Sequence, residues 1–162
     1  IMNTIVRMAV ASVLLLVAIN AAAQPELYKK YSSTPGITKV YISPTMMELV
    51  GNSGVANALK NSDINISGIF SKLKELYIIS TDNEGIRQDI TKDFDKLVNN
   101  RKVELLMEAS DGGDDMYIYC HRTQDIINSI YIRALQPDES TIIMLNGEFT
   151  MNDVKKIMSR GQ

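Results

Sequence analysis

The stretch VELLMEASDGGDDMYIYCHRTQDIINSIYIRALQPDESTIIMLN, residues 103–146, decides the fold. It contains four runs rich in apolar and β-branched residues, separated by polar turn residues, which is typical of consecutive antiparallel strands. The Asp-Gly-Gly-Asp-Asp sequence at 111–115 favours a hairpin turn, because glycine readily adopts the positive φ angles of tight turns. We predict a meander of four strands: Val103–Ala109, Met116–His121, Ile126–Leu135 and Thr141–Asn146.

Two further strands and two helices are predicted before the meander. The runs Ile37–Ile42 and Leu76–Ile79 are apolar and rich in β-branched or aromatic residues, as buried strands are. Ser43-Pro44 marks the start of a first helix, with Ser as the N-cap and Pro at the first helical position. Residues 51–68, rich in Gly, Asn and Ser, leave two alternatives open: short helical pieces or a partly ordered crossover.

The second helix has the clearest pattern in the chain. Apolar residues recur from Ile86 to Val98 with a period of 3.6 residues, so they form one stripe along a helix. The preceding Thr81-Asp-Asn-Glu84 has the spacing of a capping box. A last helix is predicted to start near Thr150.

These elements follow one another in the order β-α-β-α-β-β-β-β-α. The order predicts an α+β, two-layer domain in which a mixed, mostly antiparallel sheet carries its helices on one face. The first two strands are joined by a crossover, so we expect them to run parallel if they are neighbours. The chain of 162 residues is long enough for about one domain.

The N-terminus has the three parts of a secretory signal peptide. Arg7 supplies the positive charge, Met8–Ile19 the apolar region, and Ala21-Ala22-Ala23 the small-residue cleavage pattern. An uncleaved anchor is the alternative, but a span needs about 20 apolar residues, and this run is shorter. We predict cleavage after Ala23, a single α+β domain at 24–162, a periplasmic or secreted location, and no stable membrane insertion after cleavage.

The composition narrows the classes of function. The net charge of −2 argues against nucleic-acid binding, which needs a basic surface. One Cys and one His exclude a zinc cluster, a disulfide framework and a Cys-x-x-Cys redox site. Phosphate-binding glycine loops, nucleophile elbows and zinc-protease motifs do not occur in the sequence either. We therefore assign no catalytic, cofactor-binding or metal-binding residue and lean against an enzyme.

Two local features resemble a Ca²⁺ site and a Cys–His catalytic pair, but their sequence context indicates structural roles. Asp111, Asp114 and Asp115 could hold Ca²⁺, but they lack EF-hand spacing, and the glycines between them suit a turn. Cys120 and His121 are adjacent on a strand, where successive side chains point to opposite faces, so they cannot form a catalytic pair.

One set of residues is a candidate interaction surface: Tyr117, Tyr119, Tyr131 and Arg133. Tyr and Arg are favoured in interface cores, and an antiparallel sheet often leaves one face open. The alternative is that these side chains pack against neighbours on their own sheet. A two-residue loop after Thr123 would place odd positions opposite even ones, and would separate Tyr131 from Tyr117.

Four segments together resemble a known family: Gly36–Ser43, Ile66–Leu76, Val103–Glu108 and Leu145–Thr150. Their spacing and apolar pattern are similar to those of domain-of-unknown-function family 4252, small exported proteins of Gram-negative bacteria. The resemblance covers about residues 24–160. It implies a bacterial envelope setting and an α+β fold. That family has no established activity, so it supplies no catalytic residues.

The sequence therefore predicts an exported, non-enzymatic binding or interaction module of the bacterial envelope that uses an open sheet face. Its expected partner is an envelope protein or a small ligand. The alternative is a small periplasmic hydrolase-type enzyme, whose acid-lined pocket would form only in the folded chain. A weaker third possibility is a Ca²⁺-responsive module based on the 111–115 turn.

Overall fold

A computed structural model describes residues 25–51, 71–100 and 103–158. The predicted signal peptide and most of the undetermined segment at 51–68 lie outside these residues. The elements, in chain order, are α1 (Glu26–Tyr31), β1 (Thr38–Ile42), α2 (Pro44–Gly51), β2 (Leu73–Thr81), α3 (Glu84–Asn100), β3 (Glu104–Asp111), β4 (Asp114–Thr123), β5 (Ile126–Leu135), β6 (Ser140–Thr150) and α4 (Met151–Met158). The α+β class and the predicted element order are confirmed, and α1 is an additional helix.

The six strands form one sheet in the order β1-β2-β6-β5-β4-β3. Every neighbouring pair is antiparallel, so the described sheet is not mixed. The expectation that the first two strands run parallel is wrong: Val40 pairs with Ile78 in an antiparallel ladder. The connection from β1 to β2 contains α2 and the following segment, which is long enough to return the chain in either direction.

Helices cover both faces of the sheet, rather than one face as predicted. On the tyrosine face, defined by Tyr77, Tyr119 and Tyr131, the core includes residues of α1 and α3. On the aliphatic face, defined by Leu76, Ile130 and Leu145, it includes Met47 of α2, with Val154 of α4 packed against it. Because neighbouring residues of β2 and β5 are apolar on both sides of the strand, both faces need cover.

Helix α3 provides the main cover of the tyrosine face. Its apolar stripe buries Ile90 and Phe94 completely, as the 3.6-residue period predicts. The N-cap is Asn83, whose Oδ1 accepts a hydrogen bond from the Ile86 amide at 3.1 Å. The predicted capping box is therefore wrong in detail, because the Thr81 hydroxyl instead donates to the Gly36 carbonyl oxygen at 2.7 Å.

Candidate functional site

The register of β4 and β5 brings all four predicted surface residues to the tyrosine face. The loop after Thr123 does have two residues, and by itself it would separate the tyrosines as expected. A bulge at Asn128, between the Arg122–Ile127 and His121–Ser129 pairs, shifts the register by one residue. As a result, Tyr119 lies opposite Tyr131, and Tyr117 lies opposite Arg133.

This set is packed beneath α3. The Arg133 guanidinium lies 4.6 Å from the Tyr117 ring centre and 5.2 Å from that of Phe94, within cation–π range. Its Nη1 donates to Asp95 Oδ1 at 2.7 Å. Tyr131 and Arg133 are buried, whereas Tyr117 and Tyr119 are partly exposed. These contacts give the residues a role in packing, and their role in binding a partner stays a prediction.

The two edge strands of the sheet differ in how they meet solvent. Edge strand β3 carries exposed carboxylates at Glu104, Glu108 and Asp111, and a bulge interrupts its pairing at Leu106. Charges and bulges are devices that discourage strand addition at an edge. Edge strand β1 has five consecutive pairs with β2 and no bulge. It carries no acid, and its one charged residue, Lys39, donates to the Ser32 carbonyl oxygen at 2.7 Å.

Exposed apolar side chains are concentrated around β1 and the helix that follows it. Val40 and Tyr41 of β1 are about two-fifths exposed, at 39% and 40%. On α2, Leu49 is 63% exposed and Met46 is also exposed. Val40 lies on the aliphatic face, the same side as α2, because it pairs with Ile78. An edge strand without a bulge and a set of exposed apolar groups therefore occur together.

A polar cleft opens on the tyrosine face. Ser129 of β5, Asn146 of β6 and Glu75 of β2 are neighbours in register across three strands. The Ser129 hydroxyl donates to Asn146 Oδ1 at 3.0 Å, and Asn146 Nδ2 donates to Glu75 Oε2 at 3.2 Å. Register shifts adjoin Asn146 on both sides, between Leu73 and Glu75 and between Ile127 and Ser129.

The next residue, Gly147, makes this arrangement possible. A Cβ at that position would lie 2.3 Å from the Lys72 carbonyl oxygen, a distance that no side chain can take. The Glu148 amide donates to the same Lys72 oxygen at 3.2 Å. The close approach of these two backbone segments therefore requires glycine.

The cleft has a volume of about 380 Å³, within the usual range for small-molecule sites. Its lining combines apolar groups with a few polar ones and includes Pro25, Glu26, Pro44, Lys74, Glu75, Leu97, Asn128, Ser129, Tyr131, Asn146 and Gly147. Of these residues, only Tyr131 was a candidate site residue from the sequence. No local motif marks Glu75, Ser129 and Asn146, because they meet only through the register of three strands.

The remaining features singled out in the sequence have structural roles. Gly112 and Gly113, at φ 60° and 102°, form the predicted hairpin turn between β3 and β4. In the described part of the chain, no group of three or more His, Cys, Asp or Glu side chains is arranged to hold a metal ion. Cys120 is a free, buried thiol, and burial raises its pKa. None of the described helices has the length and hydropathy of a membrane span.

Fold and site together define a small α+β protein with an open antiparallel sheet, one edge that has neither acids nor a bulge, and a polar cleft. Residues 31–157 match the family model described as "Domain of unknown function (DUF4252)". The match covers most of the chain, which therefore belongs to this family, as its sequence resemblance implied. No curated protein and no solved structure matches the chain.

Proposed function

We propose that this protein is a non-enzymatic interaction module, exported to the bacterial envelope, that binds an extended segment of another envelope protein along the β1 edge. The observation that carries the proposal is the contrast between the two edges. The β1 edge has no bulge, carries Lys39 as its one charge and is flanked by exposed Val40, Tyr41 and Leu49, whereas three acids and a bulge protect the β3 edge.

Strand addition suits this surface. A bound segment gains main-chain hydrogen bonds from the open edge, while its alternating side chains meet different faces of the sheet. On the aliphatic face they would meet Val40 and the outer side of α2, and on the tyrosine face they would meet Tyr41. We therefore assign a partner segment with apolar residues at alternating positions.

The alternative hydrolase-type function would have to use the cleft. Ser129 supplies the aliphatic hydroxyl there, and its hydrogen-bond acceptor is the side-chain amide oxygen of Asn146. An amide carbonyl accepts a hydrogen bond but does not take up a proton at neutral pH, so it does not activate a nucleophile. This chemistry favours binding over hydrolysis.

Site-specific photo-cross-linking in intact cells tests the proposal. A photoreactive phenylalanine derivative replaces Val40 in one variant and Leu105, a 51% exposed residue of β3, in the other. We expect a discrete adduct with a second protein from position 40 and none from position 105. Leu49→Glu should abolish the adduct from position 40, and the matched Leu105→Glu should leave it unchanged.

Three outcomes would contradict the proposal. The first is that position 40 forms no adduct, and the second is that both positions form the same adduct. The third is an adduct with twice the mass of the chain, which would indicate pairing with a second copy. N-terminal sequencing of the same material tests export separately, since cleavage after Ala23 leaves Gln24 as the first residue.

A further inference from the structure

The cleft contains a buried acid that has no cationic partner. Glu75 is only 5% exposed, yet it takes part in none of the ion pairs among the described residues. The adjacent Lys74 pairs with Glu148 at 2.7 Å instead. The hydrogen bond that Glu75 receives comes from the neutral amide of Asn146. A buried carboxylate is normally paired with a cation, because burial of an unpaired charge is costly.

A buried tyrosine hydroxyl lies beside this acid. The Tyr77 hydroxyl is fully buried and has no hydrogen-bond partner among the described atoms. It is close enough to Glu75 that the carboxylate charge, together with burial as the main cause, raises its pKa. Tyr77 does not line the cleft, so the buried Glu75 carboxylate without a cation is the group that points to a missing ligand there.

The surroundings of Glu75 favour an organic cation over a metal ion. Ca²⁺ and Mg²⁺ take six or more oxygen ligands and Zn²⁺ favours Cys and His, whereas the cleft lining has one buried carboxylate, Glu75, and neither of those residue types. The walls include the Tyr131 ring and the Leu97 side chain, which suit an apolar stem, and an aromatic face also attracts a cation. The second acid, Glu26, is exposed at the rim and adds to the negative potential.

We propose that the cleft binds a small organic cation, a primary ammonium on a short apolar stem. The ammonium donates to the Glu75 carboxylate and to the Ser129 hydroxyl oxygen, whose own proton is directed to Asn146. The stem lies against Tyr131 and Leu97. This site uses residues distinct from the β1 edge. A result against one of the two proposals therefore leaves the other unaffected.

Binding of n-butylammonium to the full chain tests the inference. Titration followed by NMR at constant ionic strength should show saturable binding, with nuclear Overhauser contacts between the butyl methylenes and the Tyr131 ring. Sodium butyrate, of similar size and opposite charge, should not bind. Glu75→Gln keeps the side-chain shape and should weaken binding at least tenfold, whereas Glu108→Gln, an exposed acid on β3, should change it less than twofold.

Several results would overturn the inference. They are the absence of saturation, equal binding to Glu75→Gln, tighter binding of butyrate, or butylammonium contacts elsewhere than at Tyr131. The contacts to Tyr131 are measured on the unmodified chain. They therefore show whether butylammonium binds in the cleft even if Glu75→Gln does not fold.

Discussion

Replacing Gly147 with alanine tests the close backbone approach on which the cleft depends. The added Cβ would meet the Lys72 carbonyl oxygen at 2.3 Å and the Phe149 ring at 2.7 Å. Overpacking a core costs about 1–3 kcal/mol. We expect the upper end, about 3 kcal/mol, because the Lys72 oxygen is a backbone atom that also accepts the Glu148 amide. At about 2–4 °C per kcal/mol for a chain of this size, Tm should fall by about 6–12 °C.

Gly85→Ala is the matched control, since the same methyl group is added where there is room. The nearest atom to its Cβ would be Asn83 Oδ1 at 3.5 Å, an ordinary contact. Gly85 lies in α3, where alanine is favoured over glycine by about 0.5–1 kcal/mol, so this variant should be more stable than the parent. The two substitutions should therefore have opposite signs.

Urea unfolding followed by circular dichroism and tyrosine emission measures both variants, because the chain has seven tyrosines and no tryptophan. A Gly147→Ala protein within about 1 kcal/mol of the parent would refute the reasoning. It would mean that the strands separate at the Lys72 oxygen without cost, and that the irregular register at Asn146 does not depend on glycine.

Two further predictions concern charged groups. Asp153 accepts hydrogen bonds from Lys72 and from the Thr150 amide, both at 2.7 Å, and these lower its pKa from 3.8 to about 2. Because a lowered pKa stabilises the fold only while the acid is ionised, thermal unfolding should show stability lost between about pH 4 and pH 2. Asp153→Asn should flatten that dependence, and an unchanged slope would contradict the assignment. Asp95→Ala leaves the buried Arg133 charge unpaired and should cost about 1–3 kcal/mol, whereas Arg133→Met should stay within about 1 kcal/mol of the parent. Urea midpoints compare the two, and the reverse order would be evidence against the pairing.

The sequence predicted the elements whose signals are local. The stripe from Ile86 to Val98 defines α3 without reference to the rest of the chain, and the glycines at 112 and 113 specify a turn wherever their strands lie. The six strands follow from their apolar runs for the same reason, although β2 extends beyond the predicted Leu76–Ile79 at both ends.

Long-range features were not predictable in this way. The direction of β1 relative to β2 depends on how the intervening segment returns, and no residue pattern records that path. The bulge at Asn128 decides which side chains share a face, yet nothing in the composition of β5 distinguishes a bulged residue from a paired one. The Glu75–Asn146–Ser129 arrangement depends on two such register shifts, so it became visible only in the assembled sheet.

The strand order has a consequence for how the chain folds. Strands β3 to β6 are joined in sequence by tight connections, so their contacts close short loops. The pairing of β2 with β6, by contrast, joins Thr81 to Ser140 across α3 and strands β3 to β5. Because closing long loops is the slower event, the meander is expected to nucleate first and β1–β2 to dock late. Substitutions in β1 should then mainly accelerate unfolding, whereas those in the β4–β5 hairpin should slow folding itself.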